Sequence, residues 1–143
     1  MKFSVIFFQL IIFFSAGSIF AQDIEEFRWK NRLVILSTDS LENKLYSAQI
    51  RSLESDLEGL DVRKLVVITL VGNFQITGLS GNIGQDIGLG YDTFLSDQGS
   101  FNFYLIGLDG GIKFSSSSIV DNKKLFNLID VMPMRRHEIE NNN

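Results

Sequence analysis

Cysteine is missing from all 143 residues. Without a thiol there is no disulfide to staple the fold, no disulfide-linked dimer and no thiolate nucleophile, so stability must come from burial of apolar side chains. Histidine occurs once, as His137, and proline once, as Pro133. A lone histidine leaves a zinc site short of its usual ligands, and no Asp-x-Asp-x-Asn-Gly loop supplies a calcium site, so neither metal nor cofactor is expected. Basic residues are outnumbered, 13 against 17 acidic, for a formal charge of −4. That balance argues against nucleic acid or an anionic membrane as the main partner. Aromatic residues are not scarce: 13 phenylalanines supply material for a core.

The chain opens with a positive charge, Met1-Lys2-Phe3, followed by an apolar run from Val5 to Phe14 broken only by Gln9. Small residues follow, and the stretch closes at Ile19-Phe20-Ala21 before Gln22. This is the pattern of a signal peptide, residues 1–21, cut after Ala21. Its apolar core is shorter than the about 20 residues that span a bilayer. The expectation is an exported protein, periplasmic or extracellular, with no membrane attachment once the signal is removed. Removing 21 residues leaves 122, carrying 12 basic and 17 acidic side chains, a size that suits one domain, residues 22–143.

Arg32-Leu33-Val34-Ile35-Leu36-Ser37 reads as a strand buried on both faces. Asp39-Ser40-Leu41-Glu42 reads as a capping box opening a helix, with Tyr46, Ile50, Leu53, Leu57 and Leu60 on one face and Gly59 as its stop. Lys64 to Val71 is a second buried strand, which makes a parallel βαβ unit. Six glycines between Gly72 and Gly90, each costing a helix about 1 kcal/mol, predict a loop or frayed helix. Phe101 to Leu108, Asp109-Gly110-Gly111 and Ile112 to Ser115 form a β-hairpin, because Asp-Gly supplies the positive φ that tight turns need. Asp121 caps a last helix with Leu125, Phe126, Leu128, Ile129 and Met132 on its apolar stripe; Pro133 ends it, and residues 134–143 are expected to fray.

This order of elements is that of a thioredoxin-like α/β fold, here a mixed four-stranded sheet with flanking helices and the second helix degraded to a glycine-rich loop. Three stretches sharpen the likeness: Phe27-Arg28-Trp29-Lys30-Asn31-Arg32, Leu105-Ile106-Gly107-Leu108-Asp109-Gly110-Gly111-Ile112-Lys113, and Leu125 through Arg136. Together they resemble a secreted bacterial family of unknown function with a thioredoxin-like, peroxiredoxin-related fold, similar to domains in the sushi-repeat extracellular proteins of animals. The resemblance implies a fold and brings no reaction with it.

A redox member of this fold places its cysteine just after the first strand, where helix amides stabilise the thiolate. Ser37, Thr38, Asp39 and Ser40 hold that place here, and a hydroxyl cannot perform disulfide exchange. No catalytic residue is assigned. Gly78-Leu79-Ser80-Gly81 does not complete the Gly-x-Ser-x-Gly of a nucleophile elbow, and the glycines at 78, 81 and 84 lack the Gly-Lys-Ser/Thr ending of a phosphate loop. Candidate binding residues are Trp29, Arg135 and Arg136: an aromatic that could meet a partner, and two cations that offset a helix dipole, of which Arg135 could instead grip a carboxylate on a partner or elsewhere in the fold. The expected role is binding, without catalysis, to an envelope or secreted protein. The alternative is a non-thiol enzyme using Ser37 to Ser40 at the N-terminus of the first helix.

Overall fold

The computed structural model describes residues 23–79, 82–83, 86–95 and 100–142. The expected signal segment lies outside them. β1 (Arg32–Thr38) is buried at every position. Its alternation sends Val34 and Leu36 to one face and Leu33 and Ile35 to the other. β2 (Leu65–Val71) lies parallel to it, with Arg32 opposite Leu65 and Thr38 opposite Val71. On the other side β5 (Phe101–Ile106) runs antiparallel, with Leu33 opposite Ile106. β6 (Ile112–Ser116) returns along β5 through the expected turn, in which Gly110 takes φ 81° and the Gly107 N–H donates to Gly111 O at 2.9 Å.

The sheet is wider than the four strands expected: with β3 (Phe74–Thr77) and β4 (Asn82–Ile83), six strands among the described residues lie in the order β4-β3-β2-β1-β5-β6. The extra two come from the glycine-rich segment. Gly72, at φ 55°, and Asn73 make a two-residue turn that pairs Val71 with Phe74. β3 follows, and β4 pairs with it. A loop was expected because glycine disfavours helix, yet the same residue supplies the positive φ of a hairpin turn. No α-helix forms there among the described residues, and a 3-10 turn at Asp92–Phe94 seats Tyr91 and Phe94 in the core.

Leu53, Leu60, Leu125 and Ile129 cover the face bearing Val34, Leu36, Val67, Phe103 and Leu105. Phe27, Tyr91 and Phe94 cover Leu33, Ile35, Ile68, Leu70 and Ile106 on the other. Each such side chain contributes about 1.5–3 kcal/mol on burial.

The first helix departs from expectation at both ends. α1 (Lys44–Glu54) starts five residues after Asp39, because the Asn43 carbonyl oxygen accepts from the N–H groups of Leu45 (2.9 Å) and Tyr46 (3.3 Å) and takes the cap. It breaks at Ser55, and Asp56 caps a separate α2 (Leu57–Asp61) by accepting from Gly59 N at 2.8 Å. Leu57 is therefore rotated into solvent, and Gly59 lies inside α2 as a close contact, where a Cβ would stand 2.6 Å from the Phe126 ring. Asp121 caps α3 (Asn122–Asp130) as expected, accepting from Lys124 N at 2.8 Å.

Pro133 ends nothing. It is the first residue of α4 (Pro133–Asn141), so the stretch expected to fray is helical through Asn141. A proline suits that position because the first-turn N–H it lacks has no intrahelical partner. What fastens α4 is charge. Arg32 is 1% exposed, and its guanidinium reaches the Glu138 carboxylate (3.2 Å) and Arg63 O (3.0 Å). Arg135, also buried, donates to Glu138 (3.3 Å), Asp130 (3.3 Å) and Val62 O (2.8 Å). Arg63 closes the cluster on Asp130 at 2.6 Å and stacks over the Phe126 ring at 4.0 Å. Partial burial would raise the pKa of both carboxylates, but Arg32, Arg135 and Lys64 around Glu138 outweigh it, as do Arg63 and Arg135 around Asp130; both sit below their ordinary values.

Two tests follow from this packing. Gln49 is fully buried and clamps Val120, donating to its carbonyl (2.9 Å) and accepting from its N–H (2.7 Å). Gln49→Ala orphans both backbone groups and should cost about 2–4 kcal/mol in urea denaturation. Glu138→Gln leaves Arg32 buried without its anion and should cost about 3 kcal/mol near pH 7, against under about 0.5 kcal/mol for the exposed Glu140→Gln. A carboxylate with a lowered folded pKa stabilises above its unfolded value and loses that contribution as pH falls through the folded one. Wild-type stability should therefore decline from the ordinary values, 4.5 for Glu138 and 3.8 for Asp130, downward, and the decline should be shallower in Glu138→Gln. Equal acid sensitivity of the two proteins would contradict the assignment.

Candidate functional site

β1 carries a polar cluster at each end, and the two ends are built differently. At the C-terminal end, where the fold's redox members place their nucleophile, Ser37 and Thr38 are buried in the strand. Ser37 Oγ is sealed from solvent without a hydrogen-bond partner among the described residues. Thr38 Oγ1 donates to Ser40 O at 3.0 Å, and Ser40 Oγ donates to the Glu42 carboxylate at 2.9 Å while accepting from Glu42 N at 3.1 Å. Asp39 accepts from the Asn43 amide at 3.1 Å. The structure thus brings Thr38, Asp39 and Ser40 together, but turned onto their own loop. The capping role expected of Asp39 belongs to Asn43, one helical turn on.

His137 does not join them. It lies on α4, exposed, with Glu140 3.7 Å away as its partner. Its neighbour Glu138 binds Arg32, the first residue of β1, so about 16 Å of strand separates this end from Ser37. Among the described residues no group of three or more His, Asp or Glu side chains could hold a metal ion, and no helix is long and apolar enough to cross a membrane.

The other end of β1 opens onto a cleft of about 250 Å³. Leu108 and Lys113 from the β5–β6 hairpin line one side, Met132, Pro133 and Met134 from the start of α4 line another, and Arg32 completes it. Asp109 stands at the same cleft with its carboxylate 2.7 Å from Lys113 Nζ; that bond and the Gly111 N–H hold its pKa below the ordinary carboxylate value. Trp29 is tied to this region by its N–H, which donates to Leu108 O at 2.8 Å. Its side chain is 61% exposed, and its backbone takes φ 63°. The Arg28 guanidinium lies 5.6 Å from the ring centroid.

Of the residues singled out from sequence, Trp29 is at the surface, Arg135 is buried on carboxylates of the fold itself, and Arg136 is exposed on α4. Arg32, Glu138, Leu108 and Met134 had not been singled out. A charged residue opening an otherwise apolar strand, and a glutamate three after Arg135, were the signals available for the first two.

With this geometry in view, comparison with known proteins identifies relatives. A family described as a domain of unknown function (DUF4174) matches residues 23–138. The human sushi repeat-containing protein SRPX is 36% identical over 122 residues, covering 81% of this chain and 26% of the human protein; the rat protein is 35% identical over the same length. Zebrafish coiled-coil domain-containing protein 80 is 26% identical over 136 residues, 15% of its own length. The chain thus spans about a quarter or less of these relatives. Among solved structures, the reduced 2-Cys peroxiredoxin of Plasmodium vivax superposes with a TM-score of 0.52 at 11% identity, over 80% of this chain and 83% of that one, which establishes a likeness of fold. Matched over residues 23–138, the chain, a peroxiredoxin-like fold without a cysteine, belongs to the DUF4174 family of domains of unknown function.

Proposed function

We propose that this domain is exported and works by binding another envelope or secreted protein, with the surface around Trp29 as the contact. The carrying observation is the state of Trp29 itself. A bulky side chain in the left-handed region costs about 1–3 kcal/mol, and such strain collects at functional positions. Here the strained residue also leaves most of an indole in water. Tryptophan and arginine are the residues that most often dominate the binding energy of an interface, and Arg28 stands over this ring. Ile112 and Met134 add exposed apolar surface on the same end of the molecule. That the human relative contains a similar region as about a quarter of its length suits a module that serves by contact.

The enzyme reading has to work through Ser37, Thr38, Asp39 and Ser40. Its best feature is the unpartnered Ser37 hydroxyl, but that hydroxyl is sealed from solvent, and among the described residues no base is hydrogen-bonded to it. The loop beside it bonds to itself. Geometry therefore favours binding.

Trp29→Gly separates the two demands on this residue. Relief of the φ 63° backbone should raise stability by about 1 kcal/mol in thermal unfolding. Loss of the indole should weaken retention of the partner captured from native periplasm or medium at least about tenfold. A wild-type protein that retains nothing under several conditions, or a variant that retains the same protein equally well, would refute the proposal.

A further inference from the structure

The cleft at the start of β1 has the parts to receive the end of a polypeptide. α4 begins there without a side-chain cap: Met132 occupies the cap position and has no oxygen to offer. Pro133 carries no N–H, so the first-turn amides of Met134 and Arg135 are donors without a helical partner. An independent observation points the same way. Arg32 lines the cleft at 1% exposure, and while its two terminal nitrogens are engaged by Glu138 and Arg63 O, its Nε–H has no acceptor among the described residues. A buried guanidinium N–H left unpaired is costly and therefore uncommon. The walls, Leu108, Met132, Pro133 and Met134, are apolar.

We propose that this cleft binds the C-terminal carboxylate of a partner polypeptide whose last residue is apolar. The terminal side chain would rest among Leu108, Met132 and Met134, and the carboxylate would accept from the α4 amides and Arg32 Nε. Two features select a chain end over a whole small molecule. At about 250 Å³ the cleft is smaller than the roughly 300–1,000 Å³ of sites that enclose such ligands. It also adjoins Ile112, the first residue of β6, which is the edge of the sheet. The outer backbone groups of that edge can pair with the residues preceding the terminus, as in strand addition. Charge is compatible: Asp109 would repel a carboxylate, but Lys113 neutralises it at 2.7 Å. Arg32 Nε is closed to water as the side chains stand, and the unbranched Met132 and Met134 are the walls able to yield.

The proposal rests on the binding reading above and names the partner's chemistry. Its test uses the folded chain and three probes followed by NMR: an acetylated pentapeptide ending in Leu-Val with a free carboxylate, the same peptide amidated, and decanoate. The free acid should shift the Met134 and Arg135 amides, Arg32 Nε–H and the amides of β6, and bind at least tenfold tighter than the amide. Decanoate, which cannot pair with β6, should bind more weakly. Met134→Asp, which places a negative charge where a helix N-terminus welcomes one, should keep or raise the melting temperature and lose at least tenfold in affinity for the free acid. Equal binding of acid and amide, no binding of either at about 5 mM, where a millimolar ligand is mostly bound, or decanoate binding tightest would overturn it. If the peptides fail while Trp29-dependent capture persists, this mode is wrong and the binding reading stands.

Discussion

A guanidinium buried at the first residue of the central strand sets the terms for half of this molecule. Arg32 is almost wholly removed from water, and such a charge persists in the interior only if an anion is brought to it. No neighbour on β1 or β2 supplies one. The anion is Glu138, more than a hundred residues later, on a helix with little apolar surface to drive its packing. α4 is therefore held chiefly by charge, through Arg32 and through Arg135, which shares Glu138 and reaches back to Asp130 and Val62. The cost of desolvating these groups offsets much of their attraction, so the cluster specifies where the chain end lies more than it adds to net stability. The position of α4 in turn creates the cleft, because three of its lining residues start that helix or directly precede it.

At the opposite end of β1 the logic is local. Ser37 and Thr38 are buried because the strand is, and Thr38, Asp39, Ser40, Glu42 and Asn43 bond among themselves within a single turn of chain. Nothing there is poised for another molecule. The strand keeps its place without the chemistry because apolar alternation fixes it: Val34 and Leu36 serve one core, Leu33 and Ile35 the other. A thiolate at this position would need amide donors from the following helix. Here Asn43 takes those of Leu45 and Tyr46.

What could be read from sequence was whatever local pattern decides. β1, β2 and the β5–β6 hairpin are continuous apolar or alternating runs with an Asp-Gly turn between the last two, and Asp121 is followed at once by an apolar stripe. The first helix was half legible: the periodicity through Tyr46, Ile50 and Leu53 holds, but Asp39 and Asn43 are both good caps, and only the buried end of β1 decides that the chain needs four more residues to turn. Gly72-Asn73 carried a legible signal that the number of surrounding glycines masked, since counting them against a helix ignores what one glycine does for a hairpin. Pro133 was ambiguous by its nature, being equally fit to stop one helix or start the next. The pairing of Arg32 with Glu138 spans 106 positions and leaves no trace at either site beyond an odd charge in a strand.

Arg32, which holds α4 through Glu138, also lines the surface proposed for binding, and this links the two. Among its own residues α4 buries only Arg135, so apolar burial does little to hold it against local release. A ligand that accepts from Arg32 Nε and from the first turn of α4 engages groups that stand together only while α4 is docked. By mass action it favours the docked state in proportion to its affinity. The Ser37 end, closed by short-range bonds within one loop, has no such lever. Binding at the Arg32 end would favour the docked position of an element seated by a cluster of charges, which a contact at the Ser37 end would not touch.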